Sequence, residues 1–307
     1  MMEARLAAWA DRLGYRAAMG PGALLVEVHR EIQGRLDAGE FDPEFARIEL
    51  GWLEDTPERL DAGNRTVFLV AVPRPAHTVT FTLPGGPVLA RVPPGKVEGA
   101  QTIARVQSQL LEAFPALGDS LRLIRTGSKA LAARLGLTAY GRNNLAYIEG
   151  IGSFFQLMAF SADALRAPCA AHPWARPAQM AGCPDCGFCR DECPTGAIPE
   201  DRFPLRGERC LDYFNESAIP WPGWLPAGGH NCLVGCLICQ ECCPENAGLL
   251  RVEDTGVVFD AEETAALCVP GAPVPASVQV KLEALGLLRF QPVLGRNLRA
   301  LAGTALD

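Results

Sequence analysis

The 307 residues carry 28 Lys and Arg against 35 Asp and Glu, a net charge of -7, and this acidic balance argues against a nucleic-acid partner. No apolar run approaches the ~20 residues needed to span a bilayer, and the first twenty residues mix acids and bases where a secretory leader needs a continuous apolar stretch. A membrane-embedded or exported chain is therefore not expected, and the expected setting is a reducing cytoplasm, where the twelve cysteines serve metals or chemistry rather than disulfides.

In chain order, Leu6, Trp9, Ala10 and Leu13 recur at i, i+3, i+4 and i+7, one face of a helix. "ALLVEVHREIQGRL" reads as a strand running into a helix. "TVFLVAV" (66–72) is a buried strand stopped by Pro73. "TVTFTLP" (78–84) and "PVLARV" (87–92) flank Gly85-Gly86 and predict a hairpin. Ile103, Val106, Leu110 and Phe114 mark an amphipathic helix that Pro115 ends. "SKALAARLGL" (128–137) is a second helix and "SFFQLMAF" (153–160) another buried strand. Strands and helices alternate, so this part is α/β or α+β around a central sheet.

The Pro-rich stretch 167–182 is a linker into a different kind of segment. Cys183, Cys186, Cys189 and Cys193 are spaced C-x2-C-x2-C-x3-C with Pro194 next. This is the bacterial ferredoxin run, in which three cysteines hold one 4Fe–4S cluster and the fourth reaches another. A second run, Cys236, Cys239 and Cys243, repeats x2 and x3 and is followed by Pro244. Two cubanes need eight thiolates, and the eighth is assigned to Cys210 in "ERCLDYF". One cluster is then held by Cys183, Cys186, Cys189 and Cys243, the other by Cys193, Cys210, Cys236 and Cys239. Zinc is the weaker reading, because its sites pair C-x2-C motifs or mix Cys with His and give the third cysteine and its proline no purpose. Cys242 adjoins a proposed ligand, but Cys243 carries the proline. Cys169, Cys232 and Cys268 read as small buried hydrophobes. The Pro-, Gly- and Trp-rich stretch 218–230 is either a plain connector or a loop wrapping the second cluster, with Trp221 and Trp224 keeping water out.

Iron–sulfur clusters move single electrons, and two of them need far fewer than 307 residues, so the remainder builds a site that the electrons serve. No G-x-G-x-x-G or Walker A run is present, and the four histidines are scattered. One polar stretch stands out, "GLTAYGRNNLAYIEGIGSF" (136–154): its glycines permit close backbone approach, and Arg142, Asn143 and Asn144 gather donors. It reads as a ligand-binding loop or as an ordinary turn.

That stretch followed by the paired cysteine runs resembles the epoxyqueuosine reductase family and its relatives, the reductive dehalogenases, over about residues 125–250. The resemblance implies a nitroreductase-like sheet domain with an inserted ferredoxin-like double-cluster module and a short helical C-terminal segment. The expected boundaries are 1–166, 167–247 and 248–307, with the last segment packing on the main domain. It also implies a cobalamin cofactor reduced by the clusters, with Tyr140, Gly141, Arg142, Asn143 and Asn144 lining the corrinoid. An electron donor such as a ferredoxin or flavodoxin is expected. The family's acidic proton donor has no counterpart here: "LRLIRTGSKA" holds Arg122 and Arg125 and no carboxylate, and Asp119 lies too early. With the acidic net charge, this departure makes tRNA an unlikely partner. The expectation is an iron–sulfur oxidoreductase whose cobalamin reduces a small substrate. The alternatives are an electron-transfer protein serving a partner-held cofactor, or a divergent tRNA epoxyqueuosine reductase.

Overall fold

The computed structural model describes residues 2–54, 65–163 and 179–303. Cys169 and most of the 167–182 linker lie outside the described residues. The chain divides into two compact units, Met1–Pro73 with Gln101–Cys186, and Arg74–Ala100 with Gly187–Asp307.

The first unit is built on a four-stranded antiparallel sheet of order β1-β2-β8-β5, with β1 at Arg16–Pro21, β2 at Thr66–Pro73, β5 at Arg122–Leu123 and β8 at Phe155–Ala162. Helices cover both faces. Phe68, Val70 and Val72 of β2 pack with α1 (Met2–Arg12) and α4 (Gly99–Ala113), through Leu6, Trp9, Val106 and Leu110. Val67 and Leu69 point the other way, into Leu24, Leu25 and Val28 of α2 (Ala23–Asp37) and Leu131 and Ala132 of α5 (Ser128–Arg134). This explains why β2 is apolar at successive positions: alternate side chains enter two different cores. The segment expected to pass from strand to helix at 23 is helical throughout. Leu24, Leu25 and Val28 fall on one helical face, and the strand is the preceding "RAAMGP". A short helix, α3 (Pro43–Glu49), is capped by Asp42, which accepts from the amides of Glu44 and Phe45. A two-residue hairpin, β6 (Ala139–Tyr140) with β7 (Ala146–Tyr147), completes this unit.

The second unit holds its own sheet. The predicted hairpin forms as β3 (Ala76–Leu83) and β4 (Gly86–Val92), and β9 (Val252–Phe259) adds to β3 in parallel. The hairpin therefore belongs to this sheet and not to the one containing β2. Its core joins Val79, Phe81, Ala90 and Val92 to Phe259, Leu267 of α9 (Ala261–Leu267), Val278 and Leu282 of α10 (Ala276–Leu285), and Leu294 and Leu298 of α11 (Gln291–Leu301). The segment from 248 onward, expected to pack on the first domain, thus builds its core on the 76–92 hairpin. Phe81 and Phe259 stack with centroids 4.7 Å apart. Asp260 and Glu263 form a reciprocal capping box that starts α9. No helix among the described residues is long and apolar enough to cross a membrane.

Where α11 crosses α9 the contact is at backbone distance. A Cβ on Gly295 would meet the carbonyl oxygen of Leu267, and Cys268 Cα at 2.8 Å. Gly295→Ala is expected to destabilise the protein by about 2 kcal/mol through overpacking, read as a lowered midpoint in urea unfolding.

Candidate iron–sulfur site

The two cysteine runs fold alike. α6 (Phe188–Asp191) and α8 (Ile238–Glu241) are single turns that pack against each other. Cys189 and Cys239 occupy the second position of each turn. The chain then closes in the same way twice, with Cys193 N bonding Arg190 O at 3.2 Å and Cys243 N bonding Gln240 O at 3.3 Å. Pro194 and Pro244 follow, and a residue without an amide proton cannot extend the turn. The helix stops where the last cysteine must turn away.

Within the second unit, Cys193, Cys210, Cys236 and Cys239 lie close enough to act on one another electrostatically. Burial above all, and then the neighbouring Cys210, Cys236, Cys193 and Cys189, push the Cys239 thiol well up. Burial and Asp212, with Cys236 and Cys193 adding, push Cys210 up. Burial also raises Cys236, against the hydrogen bond from Asn231. A desolvated, half-buried group of thiols resists ionisation unless positive charge arrives with the deprotonation, and that is what iron ligation supplies. The sulfurs also meet donors: Asn231 Nδ2 donates to Cys236 Sγ at 3.2 Å, Ala197 N donates to Cys193 Sγ at 3.4 Å, and the Thr195 hydroxyl lies 3.6 Å from Cys193 Sγ. Hydrogen bonds to sulfur are a main determinant of cluster potential. Thiolate sulfurs with hydrogen-bond donors beside them are the chemistry that a cubane needs. Of the other predicted set, Cys189 and Cys243 lie in the second unit, while Cys183 and Cys186 close the first.

Asn231 carried no signal in the sequence beyond its nearness to Cys236. Its Nδ2 also donates to Gly229 O at 3.3 Å, and its Oδ1 accepts from Leu237 N at 2.8 Å and Cys232 Sγ at 3.1 Å. Cys232 is fully buried, as expected of a small hydrophobe. A second group missed from sequence ties α11 to the segment between Cys210 and Cys236. Asn297 Nδ2 donates to Asn215 O at 2.7 Å and Leu233 O at 2.8 Å. Asn215 Nδ2 donates to Gly235 O at 2.9 Å. Arg296 donates to the carbonyls of Phe214 and Ile219, both at 2.7 Å, and Ser217 at 3.0 Å. Its guanidinium lies over Trp221, whose other neighbour is the His230 ring, stacked at 4.2 Å. Because Asn215 Oδ1 only accepts, His230 Nδ1 donates to it, at 3.1 Å. Burial and Arg296 pull the His230 pKa down to about 4, so its ring is neutral near pH 7. Trp221 is half-buried, but Trp224 is 44% exposed and shields little.

The loop Tyr140–Asn144 is a tight turn in the first unit. Asn144 takes a left-handed φ of 58°. Asn143 is buried and committed on both sides of its amide: Nδ2 donates to Tyr147 Oη at 2.9 Å, and Oδ1 accepts from Leu145 N at 3.2 Å. Lys129 Nζ donates to Asn144 O at 2.9 Å. Arg142 reaches the start of the first cysteine run, donating to Cys183 O at 3.3 Å and Pro184 O at 3.4 Å. The side of Gly141 where a Cβ would stand is filled by Asn143 Oδ1 and by Tyr147 Cε2 at 2.6 Å. Tyr140 is buried, and desolvation followed by Glu31 raises its pKa far above the usual phenol value. The side chains expected to line a corrinoid are thus engaged within the protein, and the Cβ side of Gly141 is filled by its own loop.

Half-buried, hydrogen-bonded thiols in paired ferredoxin runs define an iron–sulfur protein with a double cluster, and residues 182–246 match the family model of the 4Fe-4S double cluster binding domain. The chain is epoxyqueuosine reductase-like in sequence and in fold. It is 33% identical to the epoxyqueuosine reductase of Cyclobacterium marinum over 120 residues, 38% of this chain and 35% of that one. It is 26% identical to the enzyme of Burkholderia pseudomallei over 278 residues, 80% of this chain and 66% of that one. The alignments with the first of these curated relatives thus span about a third of their length. The solved epoxyqueuosine reductase of Streptococcus thermophilus superposes with a TM-score of 0.66 at 18% identity, covering 96% of this chain and 80% of that one. Another solved epoxyqueuosine reductase, with a TM-score of 0.64 at 17% identity, is a complex with an epoxyqueuosine-modified tRNA-Tyr stem loop. The expectation that tRNA is an unlikely partner is therefore corrected. It rested on net charge, which sums over the whole surface, whereas a polyanion responds to the local field.

The proposed ligand sets separate two adjacent thiols. Cys243→Ser is expected to cost one cluster, lowering iron from about eight per chain to about four, while Cys242→Ser keeps both; iron analysis of anaerobic preparations reads the difference. Arg142→Ala is expected to release the Cys183 and Pro184 carbonyls. Faster bleaching of the cluster absorbance in air would follow, with no change in the folded secondary structure.

Proposed function

We propose that the protein is a reductase of an oxidised nucleoside carried on tRNA, a divergent epoxyqueuosine reductase. Its clusters are held by Cys183, Cys186, Cys189 and Cys243, and by Cys193, Cys210, Cys236 and Cys239. The observation that carries the reading is the half-buried thiol group of the second unit, with donors already aimed at its sulfurs. The likeness to epoxyqueuosine reductases, one solved with a modified tRNA stem loop, supplies the substrate class.

The electron count agrees. Removing the oxygen of an epoxide as water consumes two electrons and two protons, and each cluster carries one electron at a time. A low-potential carrier such as a ferredoxin or flavodoxin refills them. The chain's own residues bury the thiols, set the sulfur hydrogen bonds and fix the backbone between Cys210 and Cys236. No step is assigned to a corrinoid.

The test is complementation. In a bacterial strain lacking its own epoxyqueuosine reductase, the wild-type chain is expected to restore queuosine in digested tRNA, and Cys210→Ser is expected to leave epoxyqueuosine. Soluble, cluster-replete wild-type protein that yields no queuosine overturns the reading.

A further inference from the structure

Beside the backbone that carries Cys210 and Cys236 lies a group of charges that cluster ligation does not use. α7 (Leu211–Glu216) starts directly after Cys210 and presents Asp212 and Glu216 at i and i+4, on one face. Gly235, the residue before Cys236, takes a left-handed φ of 66°. A Cβ there would stand 3.0 Å from Asp212 Oδ1, 3.3 Å from Glu216 Oε1 and 2.9 Å from Pro93 Cγ. The two carboxylates thus converge on the space that glycine leaves open. Lys96, from the loop after β4, forms an ion pair with Glu216 and stands over the Phe290 ring, 5.9 Å from its centroid. The side chains of Lys96 and Glu216 are 22% and 19% exposed, while Asp212 is open to solvent. Arg289, stacked on Phe290, is the other cation whose charge reaches Glu216.

Burial, and after it Asp212, push the Glu216 carboxyl up to about 7, against the pull of Lys96 and Arg289. Burial opposes the charge on Lys96 as well, but Glu216 and Asp212 outweigh it and raise its pKa. Lys96 therefore keeps its proton where Glu216 exchanges one. Asp212 joins this group to the thiols: burial first and Asp212 next raise Cys210, and Asp212 adds to the burial that raises Cys236. Coupling between two sites is reciprocal, so negative charge added among those sulfurs acts back on the carboxylates.

Resting on the cluster ligation proposed above, we infer that Glu216 is the proton site of the cluster held by Cys193, Cys210, Cys236 and Cys239: its carboxylate binds one proton as one electron enters. The electron comes from a ferredoxin or flavodoxin, which is oxidised by one unit as the cubane is reduced by one. The proton comes from water, which Asp212 meets at the surface, and forms the O–H bond of the neutral acid. The charge of the site is then unchanged, and a half-buried unit is spared a net negative charge. The sign follows. Where Glu216 is neutral in both redox states, the potential is at its upper limit. Where it is ionised in both, its charge opposes the electron and the potential is at its lower limit. Between the two the potential falls as pH rises.

Full-length protein with both clusters assembled anaerobically is titrated potentiometrically, followed by electron paramagnetic resonance, from about pH 5.5 to about pH 8.5. His230, with its pKa near 4, is neutral throughout this range. One of the two midpoints is expected to fall by about 59 mV between its acid and alkaline limits, the equivalent of an about tenfold rise in the proton affinity of Glu216 on reduction; the other is expected to stay level. E216Q is expected to abolish the fall. Because it strands Lys96 without its anion, K96Q/E216Q neutralises both partners and is expected to abolish it too. In the wild type alone, the infrared difference spectrum on reduction is expected to gain a protonated carboxyl band. Two level wild-type midpoints, no such band, or a fall that survives in K96Q/E216Q overturns the proton site and leaves the cluster ligation standing. A wild type that assembles no cluster, read from its iron content, overturns the ligation and the proton site together.

Discussion

The backbone between two of the proposed ligands, Cys210 and Cys236, depends on buried amide and guanidinium groups that come from far along the chain. Cys210 and Cys236 are 26 positions apart, and the segment between them is rich in Pro, Gly and Trp, with little regular structure to fix its path. Asn297, Asn215 and Arg296 fix it by taking the carbonyls of Phe214, Asn215, Ser217, Ile219, Leu233 and Gly235. A net contribution of about 1 kcal/mol per neutral bond understates the constraint, because a buried carbonyl that loses its donor incurs the larger desolvation penalty. Asn297 and Asn215 are fully buried, so no water stands ready to replace them. The path of the backbone between the proposed ligands therefore belongs to the folded unit, and α11, which contributes no cysteine, helps to fix it.

The same unit makes the thiols costly to ionise without a metal. Burial raises Cys210, Cys236 and Cys239 together, and each thiolate opposes the next. Folding without iron leaves neutral thiols in a low-dielectric pocket, and iron exchanges their protons for coordinate bonds. Asn231 works in the opposite sense. One side-chain amide stabilises negative charge on Cys236 while its oxygen holds Leu237 N and the Cys232 thiol. Burial and polar donation are the two opposed means by which a protein tunes cluster potential, and both converge on Cys236.

Chemistry set by spacing was readable from the residues alone. C-x2-C-x3-C-P states a geometry because its helical turn and terminating proline are local, and both runs fold accordingly. β2, α4 and α5 were readable because their apolar positions face cores directly. β9 was not: Glu253, Asp254 and Gly256 give it no apolar alternation, and it is held by pairing with β3 and by Phe259 at its end. The Asn215, Asn231 and Asn297 contacts were equally silent, since an asparagine that bonds a distant carbonyl looks like any other in the sequence. The assignment of the hairpin to the second unit is a long-range fact of the same kind.

The donors of the loop at 140–144 serve the fold around them. A cluster of donors beside glycines suits a large ligand, but here the donors bond their own fold. Asn143 braces Tyr147 and Leu145, Lys129 braces Asn144, and Arg142 spans to the first cysteine run. Two carbonyls on one guanidinium give that run a fixed starting point at Cys183, ahead of the C-x2-C spacing that must place its sulfurs. The polar loop in the first unit and the asparagine network in the second thus perform one kind of task by the same means: side-chain donors from outside a cysteine segment take its carbonyls. The loop expected to line a cofactor also anchors the start of the first cysteine run through Arg142.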